Sequence, residues 1–265
     1  MSETTPPSTL FPARTEPFRA LIVVPCYNEE QRLPREAFAP FLATMEGVGF
    51  LFVNDGSRDA TEQVLAELCT TDPARMVFHS LAQNSGKAEA VRRGVLLALR
   101  ERAAVVGFWD ADLATPLAEI PRFLELMERD RQVEWVIGAR VKLLGRRIER
   151  RLLRHYIGRA FATVASNYLR LPVYDTQCGA KIFRNNARTR RLFSRRFVAR
   201  WIFDVELLAR FLKDWRGRRS DDPETAIVEV PLAEWADVKG SKVKGADFLK
   251  AFGELFRIMR TYGLP

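Results

Sequence analysis

Short apolar runs with almost no polar alternation recur along the first half of the chain, and no other property of the sequence leaves the fold so little choice. The runs are "RALIVVPCYN" (19–28), "GFLFVNDGS" (49–57), "ARMVFHS" (74–80), "AAVVGFW" (103–109) and "EWVIGAR" (134–140). A strand that does not alternate is apolar on both faces, and strands of that kind joined by helices form a mostly parallel sheet covered on both sides. Helical stretches do fall between them. One lies near 34–46. The next, "DATEQVLAELC" (59–69), has Asp59 as its N-cap and Glu62 at the capping-box spacing. Then come "GKAEAVRRGVLLALR" (86–100) and "PLAEIPRFLELMER" (116–129), the latter with Pro116 in its first turn. The expected class is α/β.

The second half is less regular and predicts an α+β arrangement. "RRLLRHYIGRAFATVASNYLRL" (150–171) is a long amphipathic helix that begins basic, and "YDTQCGAKIFR" (174–184) turns from polar residues into a short strand. "RWIFDVELLARFLKDW" (200–215) is helical, "AIVEVPL" (226–232) a strand, and "GADFLKAFGELFRIMRTYG" (245–263) a last amphipathic helix. With 265 residues, no internal repeat and no linker, the chain reads as a disordered lead-in over 1–18 and a single domain over 19–265.

Charge is uneven. From Arg140 to Arg159 there are eight Lys/Arg against one acid, Glu149, and from Arg184 to Arg200 seven Arg and no acid. Such clusters suit a polyanion or an anionic membrane surface, the alternative being a solvated face with no partner. The aromatic-studded motifs of RNA-binding modules are missing, so no nucleic acid is expected. Cys26, Cys69 and Cys178 share no metal-like spacing and read as reduced thiols. No run reaches the length of a transmembrane helix, and the N-terminus lacks the order of a signal peptide. A cytoplasmic protein is expected.

In open parallel sheets ligands bind beyond the carboxyl ends of the strands. The unusual polar residues fall there: Asn28 and Glu29, Asp55 and Gly56, Asn84, Asp110 and Asp112, and Arg140. Two carboxylates one residue apart at a strand end can converge on Mg²⁺ or Mn²⁺, directly or through water. Neither a G-x-G-x-x-G after the first strand nor a G-x-x-x-x-G-K-[ST] occurs, which disfavours dinucleotide and P-loop cradles. An acid at the second strand end and a metal at the fourth describe a nucleotide-diphosphate site without a glycine-rich loop.

"VVPCYNEE", "VNDGSRDAT", "NSGKAEAVRRG" and "DADLATP" stand in the order of the inverting nucleotide-sugar glycosyltransferases of family 2, which the chain resembles from about residue 19 to 262. "IGAR", "YDTQCGAKIF", "WIFDVELL" and "EWADVKGSKV" are more specifically similar to the dolichyl-phosphate glucosyltransferase and polyprenyl-phosphate glycosyltransferase branch. The resemblance implies the GT-A fold, with 19–140 binding the nucleotide sugar and 141–265 the acceptor. It implies that Pro25, Tyr27 and Glu29 surround the uracil and ribose. Asp55 would hold the base, Gly56 would let the backbone come close, and Lys87 and Ala111 would lie beside the nucleotide. Asp110 and Asp112 would bind the metal on the donor diphosphate. The family often has a third polar group two residues on, where this chain has Ala114. Arg140, and Arg151 or Arg154, resemble arginines that bind an acceptor phosphate. Asp175, Gln177 and Cys178 belong to a motif lining the acceptor side, and Lys242 would sit on a closing loop. Tyr27 also reads as a packing residue, and Cys178 as a small buried group.

A hydroxyl acceptor requires a carboxylate base, for which Asp204 is the candidate; Asp204 and Glu206 do not share a helix face, so one is expected to cap or pair while the other meets solvent. A phosphate monoester is largely ionised at neutral pH and needs oriented cations instead. The arginine-rich half therefore fits a polyprenyl or dolichyl phosphate acceptor with a UDP-sugar donor, on an enzyme held peripherally at the cytoplasmic face of a membrane by basic and amphipathic segments or by a membrane-protein partner.

Overall fold

The computed structural model describes residues 10–13, 15–149, 152–216, 222–236 and 246–263. Strands β1 (Phe18–Cys26), β2 (Val48–Asn54), β3 (Met76–Ser80), β4 (Ala103–Trp109), β5 (Trp135–Ala139), β7 (Ala180–Arg184) and β8 (Ile227–Pro231) form one sheet in the order β3-β2-β1-β4-β7-β5-β8. Neighbours are parallel except that β7 runs antiparallel to both β4 and β5. The remaining strands, β6 (Arg147–Glu149) and β9 (Glu234–Ala236), pair as a small parallel ribbon that the sequence pattern did not announce. The helices are α1 (Phe38–Thr44), α2 (Thr61–Thr70), α3 (Lys87–Ala98), α4 (Ile120–Arg129), α5 (Leu152–Leu169), α6 (Ala187–Ser194), α7 (Phe203–Arg216) and α8 (Ala246–Tyr262). Among the described residues none is long and apolar enough to cross a membrane.

The non-alternating strands are explained by two cores. In β1, Leu21 and Val23 join one buried cluster while Ala20, Ile22 and Val24 join the other; β2 divides Leu51 and Val53 from Phe50 and Phe52 in the same way. Each strand thus presents apolar side chains to helices on both faces.

Several local expectations are corrected. Asp59 does not cap α2 as its first flanking residue, because the helix begins later, at Thr61, with Ala60 at the N-cap. Asp59 Oδ1 takes the Thr61 N–H at 3.1 Å, and Glu62 turns away to accept from Asn54 Nδ2 at 3.1 Å, where the end of β2 needs an acceptor. Pro116 precedes a short 3₁₀ turn (Leu117–Glu119), and Pro121 occupies the first turn of α4 instead. Residues 10–13 of the lead-in pack onto the domain. Phe11 is buried edge-on against Phe18, which opens β1, and the Leu10 N–H donates to Glu101 at 2.7 Å.

Candidate active site

Because β7 is antiparallel, its first residues lie at the same sheet edge as the last residues of β1, β2, β4 and β5. There a cavity of about 630 Å³ opens. Pro25, Tyr27, Glu29, Asp55, Lys87, Asp110, Ala111, Asp112, Arg140, Asp175, Gln177 and Asp204 all line it, so the structure brings together nearly every residue singled out from sequence. Arg151 and Lys242 lie outside the described residues, as does the side chain of Arg154.

On the β1–β2 side the loop geometry is set by main-chain bonds. Asp55 accepts the N–H groups of Ser85 at 2.7 Å and Gly86 at 2.8 Å, fixing the loop that delivers Lys87 at the start of α3. Burial raises the Asp55 carboxyl above its ordinary range, with those two N–H bonds pulling the other way. Gly56 does not line the cavity. Its φ is +59°, and a Cβ there would meet Asn84 N at 2.5 Å, so glycine is what lets the 83–86 loop lie against the end of β2.

At the end of β4, Asp110 N donates to Gly179 O at 3.0 Å, and its Oδ1 stands 2.5 Å from Lys87 Nζ. A Cβ on Gly179 would lie 1.9 Å from Asp110 Oδ2, so the carboxyl group fills the space that any other residue at 179 would need. Asp112 pairs with Arg32 at 3.2 Å and accepts from Ala114 N at 3.2 Å. Burial pushes Asp110 up, but the Lys87 ammonium, with Lys181 and Arg140 behind it, more than reverses this and holds the carboxyl below its usual range. Asp112 is raised, by burial first and then by the charge of Asp110. Two carboxylates in repulsion, one with an ammonium against it, form a donor set that suits a hard cation whose other ligands are oxygens from outside the protein. Among the described residues no third His, Cys, Asp or Glu joins them.

A second tier of charge lies beneath. Lys181 on β7 is fully buried; its Nζ is 2.7 Å from Asp204 Oδ1, and it also donates to the Cys178 carbonyl. Burial raises Asp204, opposed by Lys181 and Lys87. Glu206 does not meet solvent. It is wholly buried, accepting from Ala199 N, Arg210 Nη2 and the Tyr262 hydroxyl at 2.9, 2.7 and 2.7 Å, because α7 packs against α8, which carries Tyr262. Cys178 is buried, and burial raises its thiol, which fits a packing role.

Beyond the end of β5, Arg140 gives its main-chain N–H, Nε and Nη2 to Asp175 at 3.1, 2.6 and 2.7 Å, with its guanidinium 5.3 Å from the Trp235 ring. The 174–175 turn is held in turn by Glu229, which accepts both main-chain N–H groups at 2.7 and 2.8 Å.

Sequence reasoning missed Lys181, Arg159, Arg200 and Trp235. A lysine between apolar neighbours in "GAKIF" was the available signal for the first. It missed Glu254 as well. This buried α8 residue accepts the N–H groups of Arg200, Trp201 and Ile202 at 3.1, 2.9 and 3.1 Å, holding the loop that enters α7 and lines the cavity. Arg200 reaches from that loop to Ser85 O at 3.4 Å. Glu254→Ala leaves three N–H groups without their acceptor and is expected to cost about 3 kcal/mol. An unchanged melting midpoint refutes the clamp.

The sequence profile described as Glycosyl transferase family 2 matches residues 21–197. The chain belongs to that family. This family 2 glycosyltransferase is 32% identical over 261 residues to dolichyl-phosphate beta-glucosyltransferase of Drosophila melanogaster, covering 91% of this chain and 74% of that one. It is 30% identical over 244 residues to the Homo sapiens protein of the same name, covering 84% and 68%. The crystal structure of glucosyl-3-phosphoglycerate synthase from Mycobacterium tuberculosis, in complex with Mn²⁺, UDP and glucosyl-3-phosphoglycerate, superposes with a TM-score of 0.65 at 19% identity, over 94% of this chain and 81% of that one. The α/β sheet is accordingly the GT-A fold, and the protein is an enzyme that transfers a glycosyl group.

Proposed function

We propose that this glycosyltransferase moves a sugar, glucose before any other, from a UDP-sugar to a polyprenyl or dolichyl phosphate with inversion at the anomeric carbon. The names of the relatives support the donor sugar and the acceptor class. One observation in the cavity carries the choice of acceptor chemistry: every acidic side chain lining it has a cation or main-chain N–H groups against it. Asp110 faces Lys87, Asp112 and Glu29 face Arg32, Asp175 faces Arg140, Asp204 faces Lys181, and Asp55 holds main-chain N–H groups. A hydroxyl acceptor requires a carboxylate able to take its proton. A phosphate monoester, with a second pKa of about 6, arrives already ionised. The hydroxyl reading depends on Asp204, whose Oδ1 is held by Lys181 at 2.7 Å.

In this reading Asp110 and Asp112 would hold Mg²⁺ or Mn²⁺. The cation would neutralise charge developing on the departing diphosphate. Lys87, at 2.5 Å from Asp110, adds a protein cation at the same place. The β1–β2 loops orient the nucleotide, and the acceptor-side donors align the phosphate for in-line attack.

Peripheral membrane contact is supported by α8. Phe252, Phe256 and Met259 stand on one face, 44%, 65% and 38% exposed, beside Arg257 and Arg260. An exposed apolar stripe flanked by cations suits the surface of an anionic bilayer.

The test is transfer of radiolabelled glucose from UDP-glucose to undecaprenyl or dolichyl phosphate with Mg²⁺ or Mn²⁺. A lipid-extractable product that disappears with EDTA is expected. UDP release to water with no lipid product moves the acceptor to a hydroxyl.

A further inference from the structure

The loop that leaves β5 carries two leucines with little to pack on. Leu143 is half-exposed and Leu144 fully exposed. The Arg146 N–H donates to Leu143 O at 3.1 Å, closing a tight turn in which Gly145 takes a φ of +79°. A Cβ on Gly145 would meet nothing within 4 Å among the described residues, so the tip stands clear of the domain. Turns ordinarily carry Gly, Pro, Asn, Asp or Ser. Gly145 meets the conformational need here, and leucine at 143 and 144 serves none.

The tip has a firm base and a basic surround. Beneath it the Arg147 N–H donates to Ala233 O at 3.0 Å, β6 pairs with β9, and Ile148 is buried. Lys142 and Arg147 are exposed beside the leucines and Arg146 is partly so, with the Glu234 carboxylate 3.7 Å from Arg147. Arg140, three residues before Leu143, lines the cavity. Three residues of chain span at most about 11 Å, so the tip lies at the cavity's rim. A protein partner needs about 800 Å² of matched surface on each side, and two leucines on a projecting turn offer far less. A bilayer needs no matched surface. Leucine enters the acyl boundary to whatever depth it reaches, while cations beside it meet anionic headgroups.

We propose that Leu143 and Leu144 form a membrane-inserting finger, which with Lys142, Arg146 and Arg147 docks the rim of the cavity on an anionic bilayer. The assignment rests on the peripheral-membrane reading above. To that reading it adds a contact remote in sequence from α8 and an orientation, with the loop that leaves β5 turned to the lipid.

The test is flotation of the full chain at low salt with vesicles of phosphatidylcholine, with and without phosphatidylglycerol. The wild type is expected to float with the anionic vesicles. Leu143→Ser/Leu144→Ser is expected to weaken that partitioning by about tenfold or more, and Lys142→Gln/Arg147→Gln by about tenfold, with the melting midpoint unchanged as the control for folding. Cys26, Cys69 and Cys178 are buried, so Leu144→Cys takes an environment-sensitive fluorophore selectively, and its emission is expected to shift to the blue on anionic vesicles. If the double leucine variant floats as well as the wild type, the finger is refuted and the membrane reading survives on α8. A label at 144 that does not respond to vesicles the protein binds refutes the finger too. A wild type that floats with neither kind of vesicle overturns the membrane reading and the finger together. A dimer in solution that the leucine variant turns into monomers gives the tip to a second copy of the chain and overturns the bilayer as its partner.

Discussion

Asp110→Asn is expected to lower kcat/KM for sugar transfer by about a thousandfold while leaving the melting midpoint nearly unchanged. The substitution keeps the shape of the side chain and removes the charge that Lys87 faces at 2.5 Å. Groups that stabilise a developing charge in a water-excluded site are each worth about 10²–10³ in rate, and removing a carboxylate also weakens any divalent cation it shares with Asp112. Gly179→Ala reaches the same atoms by another route. Its Cβ would lie 1.9 Å from Asp110 Oδ2 and 2.1 Å from Cγ, so the carboxyl must rotate away from Lys87 and Asp112. About a hundredfold loss is expected, since displacement of a reacting group by about 1 Å costs that much. Steady-state transfer and a thermal melt on both variants check this. Full activity in Gly179→Ala shows that the position of Asp110 is not what the site depends on.

The second large effect falls on stability. Lys181→Met removes the only cation within salt-bridge distance of Asp204 among the described residues, at a place where both side chains are buried. Breaking a buried pair from one side costs about 3–5 kcal/mol, because the remaining charge has neither water nor partner. For a chain of this size that is a fall in melting midpoint of about 10 °C. The double variant Lys181→Met/Asp204→Leu is expected to regain most of the loss, since replacing both charges with apolar groups removes the penalty. Denaturant melts of the two variants decide it. If the single variant melts like the wild type, the pair does not bear the energetic weight assigned to it. A double variant less stable than the single one refutes the pairing in another way, by showing that Asp204 is held by something other than Lys181.

What was legible in the sequence is what local chemistry determines. Runs such as 19–28 and 103–109 can be stable only with apolar cover on both faces, so the parallel sheet and its helices could be read without coordinates, and the carboxyl-end rule then collected Glu29, Asp55, Asp110 and Asp112 at one edge. Resemblance to family 2 singled out the 175–178 segment before any geometry was known, and Asp175 and Gln177 do line the cavity. Segment boundaries erred where prolines and side chains had competing uses, as at Asp59 and Pro116. Tertiary structure alone decided which charges meet. The antiparallel insertion of β7 between β4 and β5 sets Gly179 under Asp110 and buries Lys181 against Asp204. Packing of α8 against α7 takes Glu254 to the main chain of 200–202. Tertiary contacts likewise assign Arg140 to Asp175 and leave Arg159 facing the cavity. Periodicity records which side of an element is apolar, because burial acts on each residue where it stands. The partner of a buried charge is recorded nowhere along the chain, because a pair depends on two positions that only the folded topology brings together.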